Sequence, residues 1–382
     1  MAAVFFCFQN EDESLPDTVR HTGYHAGYVL VDSEQTAERR ARLDGIPCHY
    51  VDSELDLINW VVDIVREWDP DVLAGWELHN ASWGYVAARA AQGFGTDLAD
   101  DISRLVSSSG PARKDAYAEH HTSAFKVAGR HVINIWRILR SEVTLNAYTF
   151  ENCVFHVLRQ RVPHYTAGAL TALWRSKTPA HTARVLGILF QRVVLYAELI
   201  DAAEVVSKNA EFGRVFGVDF DAVVFRGSQF KVESFLFRLA KPESFILVTP
   251  SRAQVGLQNA PFAVPLIAEP ESKYYSHPVI VLDFQSLYPS VMIAYNICYS
   301  TCLGRVEKFK GTDKFGFTEL KVSDGMLELL KDYLTVTPNG IVFVKPAVRK
   351  SLLAKMLGEI LDTRVMVKHA MKGARGDKVS GR

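Results

Sequence analysis

"VIVLDFQSLYPS", residues 279–290, joins an apolar run to a single acid, Asp283, and then to the pair Tyr288–Pro289. Consecutive Val, Ile and Leu side chains read as a buried strand closed by a turn. A lone carboxylate at the exit of such a strand is costly unless it is paired, solvated or bound to a cation. Two readings follow. A neighbouring Arg or a backbone N–H caps Asp283, or Asp283 helps hold a divalent metal. Mg²⁺ takes a few oxygen ligands together with phosphates and water. The turn through Gln285, Ser286 and Leu287 offers backbone N–H groups to a phosphate, and Pro289 stiffens it. About eighty residues further on, Arg364 and Lys368 share one face of a predicted helix. A metal-binding acid and two cations for phosphate oxygens are parts of a phosphoryl-transfer site.

The rest of the chain bounds that reading. It has 382 residues, enough for two or three domains. Apolar residues make up 48% and charged residues 23%, the composition of ordinary globular material. No apolar run is long enough to cross a membrane. The start, "MAAVFFCFQNEDESLPD", has no basic segment before its apolar residues and reads as neither a signal nor a transit peptide. Five scattered cysteines (Cys7, Cys48, Cys153, Cys298, Cys302) suit free thiols in a reducing compartment. Net charge is zero but uneven. Residues 1–100 hold 18 acids and 6 bases, whereas residues 345–382 hold 10 bases and 3 acids. That asymmetry points to a polyanion partner near the C-terminal end, or to a solvated basic helix.

Periodicity then places elements. Residues 22–32 alternate like a strand. Residues 53–70 read as a helix with Ser53 as N-cap and Pro70 as its stop. Residues 71–76 are a short buried strand, followed by a helix through "SWGYVAARAAQ". This alternation predicts an α/β first half. A further strand is expected at 130–139 and a long, buried helix at 183–206. Residues 240–278 hold Pro242, Pro250, Pro261, Pro265, Pro270 and Pro278 and read as an extended connector. A short helical stretch at 286–297, a looser region at 304–345 and a helix at 351–372 complete the pattern. On that last helix Arg364, Lys368 and Lys372 form a basic stripe. His79, His121, His131 and His156 show no metal-ligand spacing. Trp60, Trp68, Trp83, Trp136 and Trp174 are most simply core.

"DFQSLYPS" resembles motif A (DxxSLYPS) of family B DNA polymerases. "RGSQFKVESFLFRLA" (226–240), the flanks of motif A through 269–304, and "FVKPAVRKSLLAKMLGEILDTR" (343–364) are similar to the same family's passage into palm and fingers. "ASWGYVAARA", "NAYTFENCVFHVL" and "YNICYSTCLG" resemble its zeta branch, whose members act in translesion synthesis. The resemblance implies a mixed α/β and α+β fold: an exonuclease-like, ribonuclease H-like domain at 1–215, a connector at 216–278, the start of a palm at 279–350 and the start of a fingers helix at 351–382. It also implies site roles. Asp283 and the carbonyl of Phe284 would bind Mg²⁺. Ser286 and Leu287 would offer N–H groups to the triphosphate. Tyr288 would lie under the sugar and exclude a 2′-hydroxyl. Arg364 and Lys368 would grip phosphate oxygens. The implied partners are primer–template DNA, dNTP and the accessory subunits of the zeta complex, and the implied compartment is the nucleus.

Two departures from the family pattern shape the expectation. A two-metal site takes at least two carboxylates. The family's second acid, in a DTD motif, and its fingers KxxxNSxYG motif do not occur in these residues, so a truncated product inactive by itself is expected. In the first half, Asn80 fits an N-x₃-F-D exonuclease motif, but Trp83–Gly84 stands where Phe-Asp should be. Between 130 and 200 there is no Asp, only Glu142, Glu151 and Glu198. The exonuclease-like domain is therefore expected to be inactive.

Overall fold

Helix α1 (Glu54–Trp68) begins where its cap is. Ser53 is extended, and its hydroxyl accepts from the amide of Asp56 at 3.1 Å. Leu57, Ile58, Val61, Val62 and Val65 recur at helical spacing and are all buried. The helix ends at Asp69, in the left-handed region with φ 41°, directly before Pro70. The surrounding structure is a computed structural model. It describes residues 2–9, 24–32, 43, 45–78, 81–105, 125–176, 178–246, 251–253, 268–306, 320, 323, 325–338 and 340–377. Two compact units divide it, Met1–Gly227 and Ser228–Arg382.

In the first unit, β1 (Ala3–Phe8), β2 (His25–Val31) and β3 (Cys48–Val51) form a sheet in that order. Strand β1 runs antiparallel to β2, with Ala3 opposite Leu30, and β3 runs parallel to β2. Strand β4 (Val72–Gly75) pairs in parallel with β5 (His131–Asn134). One core joins Ile58, Val62 and Val65 of α1 to Leu73 and Val132 of the strands and to Val86 and Ala90 of α2 (Ser82–Phe94). Leu98 of α3 (Leu98–Asp101), Ile102 and Phe125 close it. A second core joins Ile135 and Leu139 of α4 (Ile135–Glu142), Phe150, Cys153 and Val154 of α5 (Phe150–Leu158), and Leu195 and Leu199 of a long helix. After α6 (Ala167–Arg175), that long helix is α7 (Pro179–Ala202). It starts and ends four residues before the expected span. Pro179 sets its first turn, and Glu204, with φ 49°, separates it from α8 (Val205–Phe216). Only Val185, Leu186, Leu195 and Leu199 of α7 are fully buried, so it is a half-buried layer.

The strand expected at 130–139 stops after four residues. The Asn134 side-chain oxygen accepts from the amide of Arg137 at 3.2 Å and caps α4, so the apolar run turns helical. The expected connector at 216–278 holds two helices, α9 (Phe220–Phe225) and α10 (Ser228–Ala240). Of its prolines, Pro250, Pro261 and Pro265 lie outside the described residues.

In the second unit, α10, α11 (Leu287–Ala294) and α13 (Leu352–Asp377) are the main helices. The region expected to be loose holds an antiparallel sheet of β6 (Cys302–Arg305), β8 (Ile341–Val344) and β7 (Leu334–Val336) in that order, with the short helix α12 (Met326–Leu329). The expected buried strand at 279–284 is a correction. Those residues form no strand, and Ile280 and Leu282 are 83% and 89% exposed. The reason is physical: a strand exists through its neighbours, and no described strand pairs with this segment. No helix among the described residues is long and apolar enough to cross a membrane.

A charged pair links α1 to α2. The Arg89 Nε donates to Glu54 Oε1 at 2.8 Å, and its Nη2 donates to Oε2 at 2.6 Å. That bidentate contact is the largest of the causes that lower the Glu54 carboxyl from its ordinary 4.5 to about 2. A depressed folded-state value means the contribution is fully present above about pH 4.5 and is lost as pH falls toward 2. Thermal melts of the parent and Glu54→Gln should therefore differ at neutral pH and converge between pH 4.5 and 2. A gap that stays constant to pH 2 would contradict the pairing.

Candidate functional site

The residues singled out around motif A gather at one end of α11. Ser286 sits in the left-handed region, φ 53° and ψ 48°, as the N-cap of α11, and its side chain makes no capping bond. Inside the helix the first backbone bond runs from the Ser290 amide to the Ser286 carbonyl at 3.0 Å. The amides of Ser286, Leu287 and Tyr288 thus precede the first intrahelical bond, and Pro289 has no N–H to add. Such a helix start favours an anionic oxygen. Arg364, on α13, reaches this point: its Nη1 donates to Ser286 Oγ at 3.4 Å. Lys368 lies one helical turn further along α13 and is exposed. The structure thus brings Arg364 to Ser286, from the two ends of an eighty-residue stretch.

Asp283 and Phe284 lie just before the turn and are exposed, as is Tyr288. Among the described residues Asp283 makes no hydrogen bond or ion pair, so no Arg or N–H caps it there. Its oxygens are hard donors of the kind Mg²⁺ takes, but they are a single carboxylate. Among the described residues no group of three or more His, Cys, Asp or Glu side chains stands ready for a metal.

A buried polar knot that the motif does not announce ties the C-terminal end of α11 to the N-terminal end of α13. Helix α11 ends in a Schellman turn: the Ile297 amide bonds Met292 O at 2.9 Å and the Asn296 amide bonds Ile293 O at 3.3 Å. Asn296 takes the left-handed position, φ 56°. Its Nδ2 donates to the carbonyls of Val344 and Arg349, both at 2.8 Å, and its Oδ1 accepts from the Ser351 amide at 3.0 Å. Ser351 in turn caps α13 by accepting from the Ala354 amide at 2.9 Å. Cys298 sits beside it. Burial pushes this thiol up, but bonds donated by the Ser300 hydroxyl and the Leu353 amide outweigh burial and hold it below the ordinary thiol value. Leu236, Ala240, Leu352 and Met356 pack around Cys298 as the core of the unit. Sequence reasoning missed Asn296. The available signal was an Asn two residues past a helical run, a common left-handed helix end.

The exonuclease-like positions sit in the first unit. Trp83 donates its indole N–H to Ala74 O at 3.1 Å and stacks on Phe125, so it serves the core. Gly84 lies in the first turn of α2. Glu142 pairs with Lys208 at 2.7 Å, and Glu151 with His164 at 3.2 Å. His131 bonds Asp221 at 2.8 Å. His79, Asn80 and His121 lie outside the described residues. All five cysteines are free thiols.

Two family models match the chain. One, described as DNA polymerase family B, covers residues 218–380; the other, the exonuclease domain of DNA polymerase family B, covers 27–152. Together they take in about three quarters of the sequence. The chain is 44% identical over 358 residues to the DNA polymerase zeta catalytic subunit of Schizosaccharomyces pombe, covering 93% of this chain and 24% of that protein. It is 40% identical to the Homo sapiens zeta catalytic subunit over the whole of this chain and 13% of that protein. To the Candida albicans DNA polymerase delta catalytic subunit it is 30% identical over 83% of this chain and 29% of that protein. The chain therefore spans roughly a quarter or less of the zeta subunits it matches.

The left-handed Ser286 makes a stability prediction. A β-branched residue is strained there by about 1–3 kcal/mol, whereas Gly is not. Ser286→Val should lower the melting temperature by several degrees, and Ser286→Gly should not. Equal melting of the two variants would rule out the left-handed turn before α11.

Proposed function

The chain belongs to DNA polymerase family B, and from that membership we propose that it forms part of a DNA-directed DNA polymerase of the zeta type. The reaction is nucleotidyl transfer from a dNTP to a primer 3′ end, in translesion synthesis in the nucleus. The observation that carries the reading is the meeting of Arg364 with Ser286 at the N-terminus of α11. A phosphate-binding cation on one helix and phosphate-binding amides at the start of another then face one triphosphate.

Each residue has a role in that scheme. The amides of Ser286 and Leu287 donate to phosphate oxygens, and Arg364 and Lys368 neutralise their charge. The exposed ring of Tyr288 lies under the sugar and discriminates against a 2′-hydroxyl by contact. Asp283 and the Phe284 carbonyl would supply oxygen ligands for Mg²⁺, which when bound would supply charge neutralisation on the triphosphate. One carboxylate is less than a two-metal site takes, and Asp283 is the one acid of this stretch that motif A provides. Hence the 382-residue stretch by itself does not polymerise. The partners are primer–template DNA, dNTP and the accessory subunits of the zeta complex. The exonuclease-like unit is a scaffold, a reading supported by Trp83–Gly84 at the motif position and by the contacts of Glu142 with Lys208 and of Glu151 with His164.

The tests use two proteins. The 382-residue chain, given primed template, dNTPs and Mg²⁺, should leave the primer unextended and single-stranded DNA undegraded. Extension, or degradation abolished by changing Glu142, Glu151 and Glu198 to Gln, would reject the corresponding half of the reading. In a chimera carrying this stretch in place of the matching part of the Schizosaccharomyces pombe subunit, Asp283→Asn should cut nucleotide insertion about a thousand-fold or more. Its melting temperature should hold, because an exposed acid with no bonding partner among the described residues has little stability to lose. A destabilised variant that still inserts nucleotides would end the metal-ligand role.

A further inference from the structure

We propose that Asn296 is a positioning residue that sets how far Arg364 reaches over the start of α11, and so governs the affinity for the incoming nucleotide. The inference rests on the polymerase reading above and adds to it a residue outside motif A.

The argument begins with where the bonds run. Asn296 is 2% exposed, and its carboxamide makes three bonds, to Val344, Arg349 and Ser351. Those partners are the end of β8, the loop after it, and the residue that caps α13. The main chain is tied as well. The buried Thr301 hydroxyl donates to the Asn296 carbonyl at 2.7 Å, and the Val344 amide donates to the Thr301 carbonyl at 2.9 Å. Arg349 Nη1 adds a bond to Ser300 O at 3.1 Å. The C-terminal end of α11 is thereby fixed to the N-terminal end of α13.

The other end of the pair is different in kind. Helices α11 and α13 lie side by side in opposite senses, so Ser286 meets Arg364 far from the knot. The polar contact there is one exposed bond of 3.4 Å, too long to hold two helices in place, and apolar packing between them is non-directional. The directional bonds are those of the knot. Arg364 lies 13 residues beyond Ser351, roughly 20 Å along a helix, so a tilt of about 5° at the knot moves Arg364 by roughly 2 Å. Errors of about 1 Å at a reacting group cost up to a hundred-fold in rate, so a shift of that size is felt.

Asn suits the position on two counts. It tolerates the left-handed backbone, and it carries a donor and an acceptor on one rigid group. Asp would turn an oxygen toward the two carbonyls. Gly would keep the backbone and lose all three side-chain bonds, which makes Asn296→Gly the informative variant.

The test is a double-mutant cycle in the chimera, with single-nucleotide insertion read as KM for dNTP and kcat separately. Arg364→Met alone should raise KM; if it does not, the phosphate-gripping reading itself fails. Asn296→Gly should raise KM about tenfold with kcat changed far less. In the Arg364→Met background, Asn296→Gly should add little, because the residue through which it acts is gone. An undiminished second effect, or a loss confined to kcat and melting temperature, would overturn the proposal while leaving the polymerase reading intact. Should Asn296→Gly fail to fold, Thr301→Val removes the hydroxyl that holds the Asn296 carbonyl at near-constant volume. It should give a smaller rise in KM that likewise vanishes with Arg364→Met, and an equal rise in both backgrounds would count against the role.

Discussion

Three backbone groups from separate points of the second unit, the carbonyls of Val344 and Arg349 and the amide of Ser351, converge on one buried carboxamide. Leaving a buried donor or acceptor without a partner costs about 1–3 kcal/mol, so this side chain is constrained by three requirements at once. The sheet β6–β8–β7 and the helices α11 and α13 share that point. Apolar packing around Met356, Leu352 and Cys298 supplies burial, but apolar contact is non-directional. The directional information is in the amide bonds. The arrangement of α11 against α13, and with it the meeting of Arg364 and Ser286, follows from them.

The first unit solves a similar problem with charge. Arg130 is buried, and its guanidinium bonds Ile102 O at 2.8 Å and Pro70 O at 2.6 Å and pairs with Asp69 at 2.7 Å. Arg104 joins the same acid at 2.8 Å and Asp71 at 2.6 Å. These contacts close the loop that ends α1 and lead the chain into β4. Asp69 with two arginines, Glu54 with Arg89 and Glu142 with Lys208 thus tie loops and helix ends together within the unit.

How much of this was legible depends on how local each determinant is. Ser53, the apolar spacing of 54–65 and Pro70 all lie within one helix, and α1 is where they place it. The start of α13 and the short α11 were legible for the same reason. Strands were not. The strands β1 and β3 and the sheet β6–β8–β7 rest on pairings between distant segments, which no window of sequence displays. The most apolar segment, 279–284, misled in the opposite direction: composition specified a strand, and pairing did not supply one. For the site, "DFQSLYPS" was decisive because eight residues in order are specific. Arg364 was legible as part of a stripe, but its distance to Ser286 was not. Asn296 was legible only as a helix end, because its three side-chain partners lie 48 to 55 residues away in the chain.

The exposed run before Asp283 bears on what sets the site. Fully burying a side chain such as Val, Ile or Leu is worth about 1.5–3 kcal/mol, so Val279 through Leu282 together hold a large unspent driving force. That segment is exposed, and its backbone groups are unpaired by any described strand. Helix α11 is anchored at its far end by the Asn296 knot, which sets where Ser286 and its amides lie. Asp283 is three residues upstream, on the other side of a left-handed turn, and nothing among the described residues fixes it. The start of α11 is thus built by contacts within this unit, whereas the segment leading to Asp283 has none among the described strands, and the two meet at the left-handed turn of Ser286.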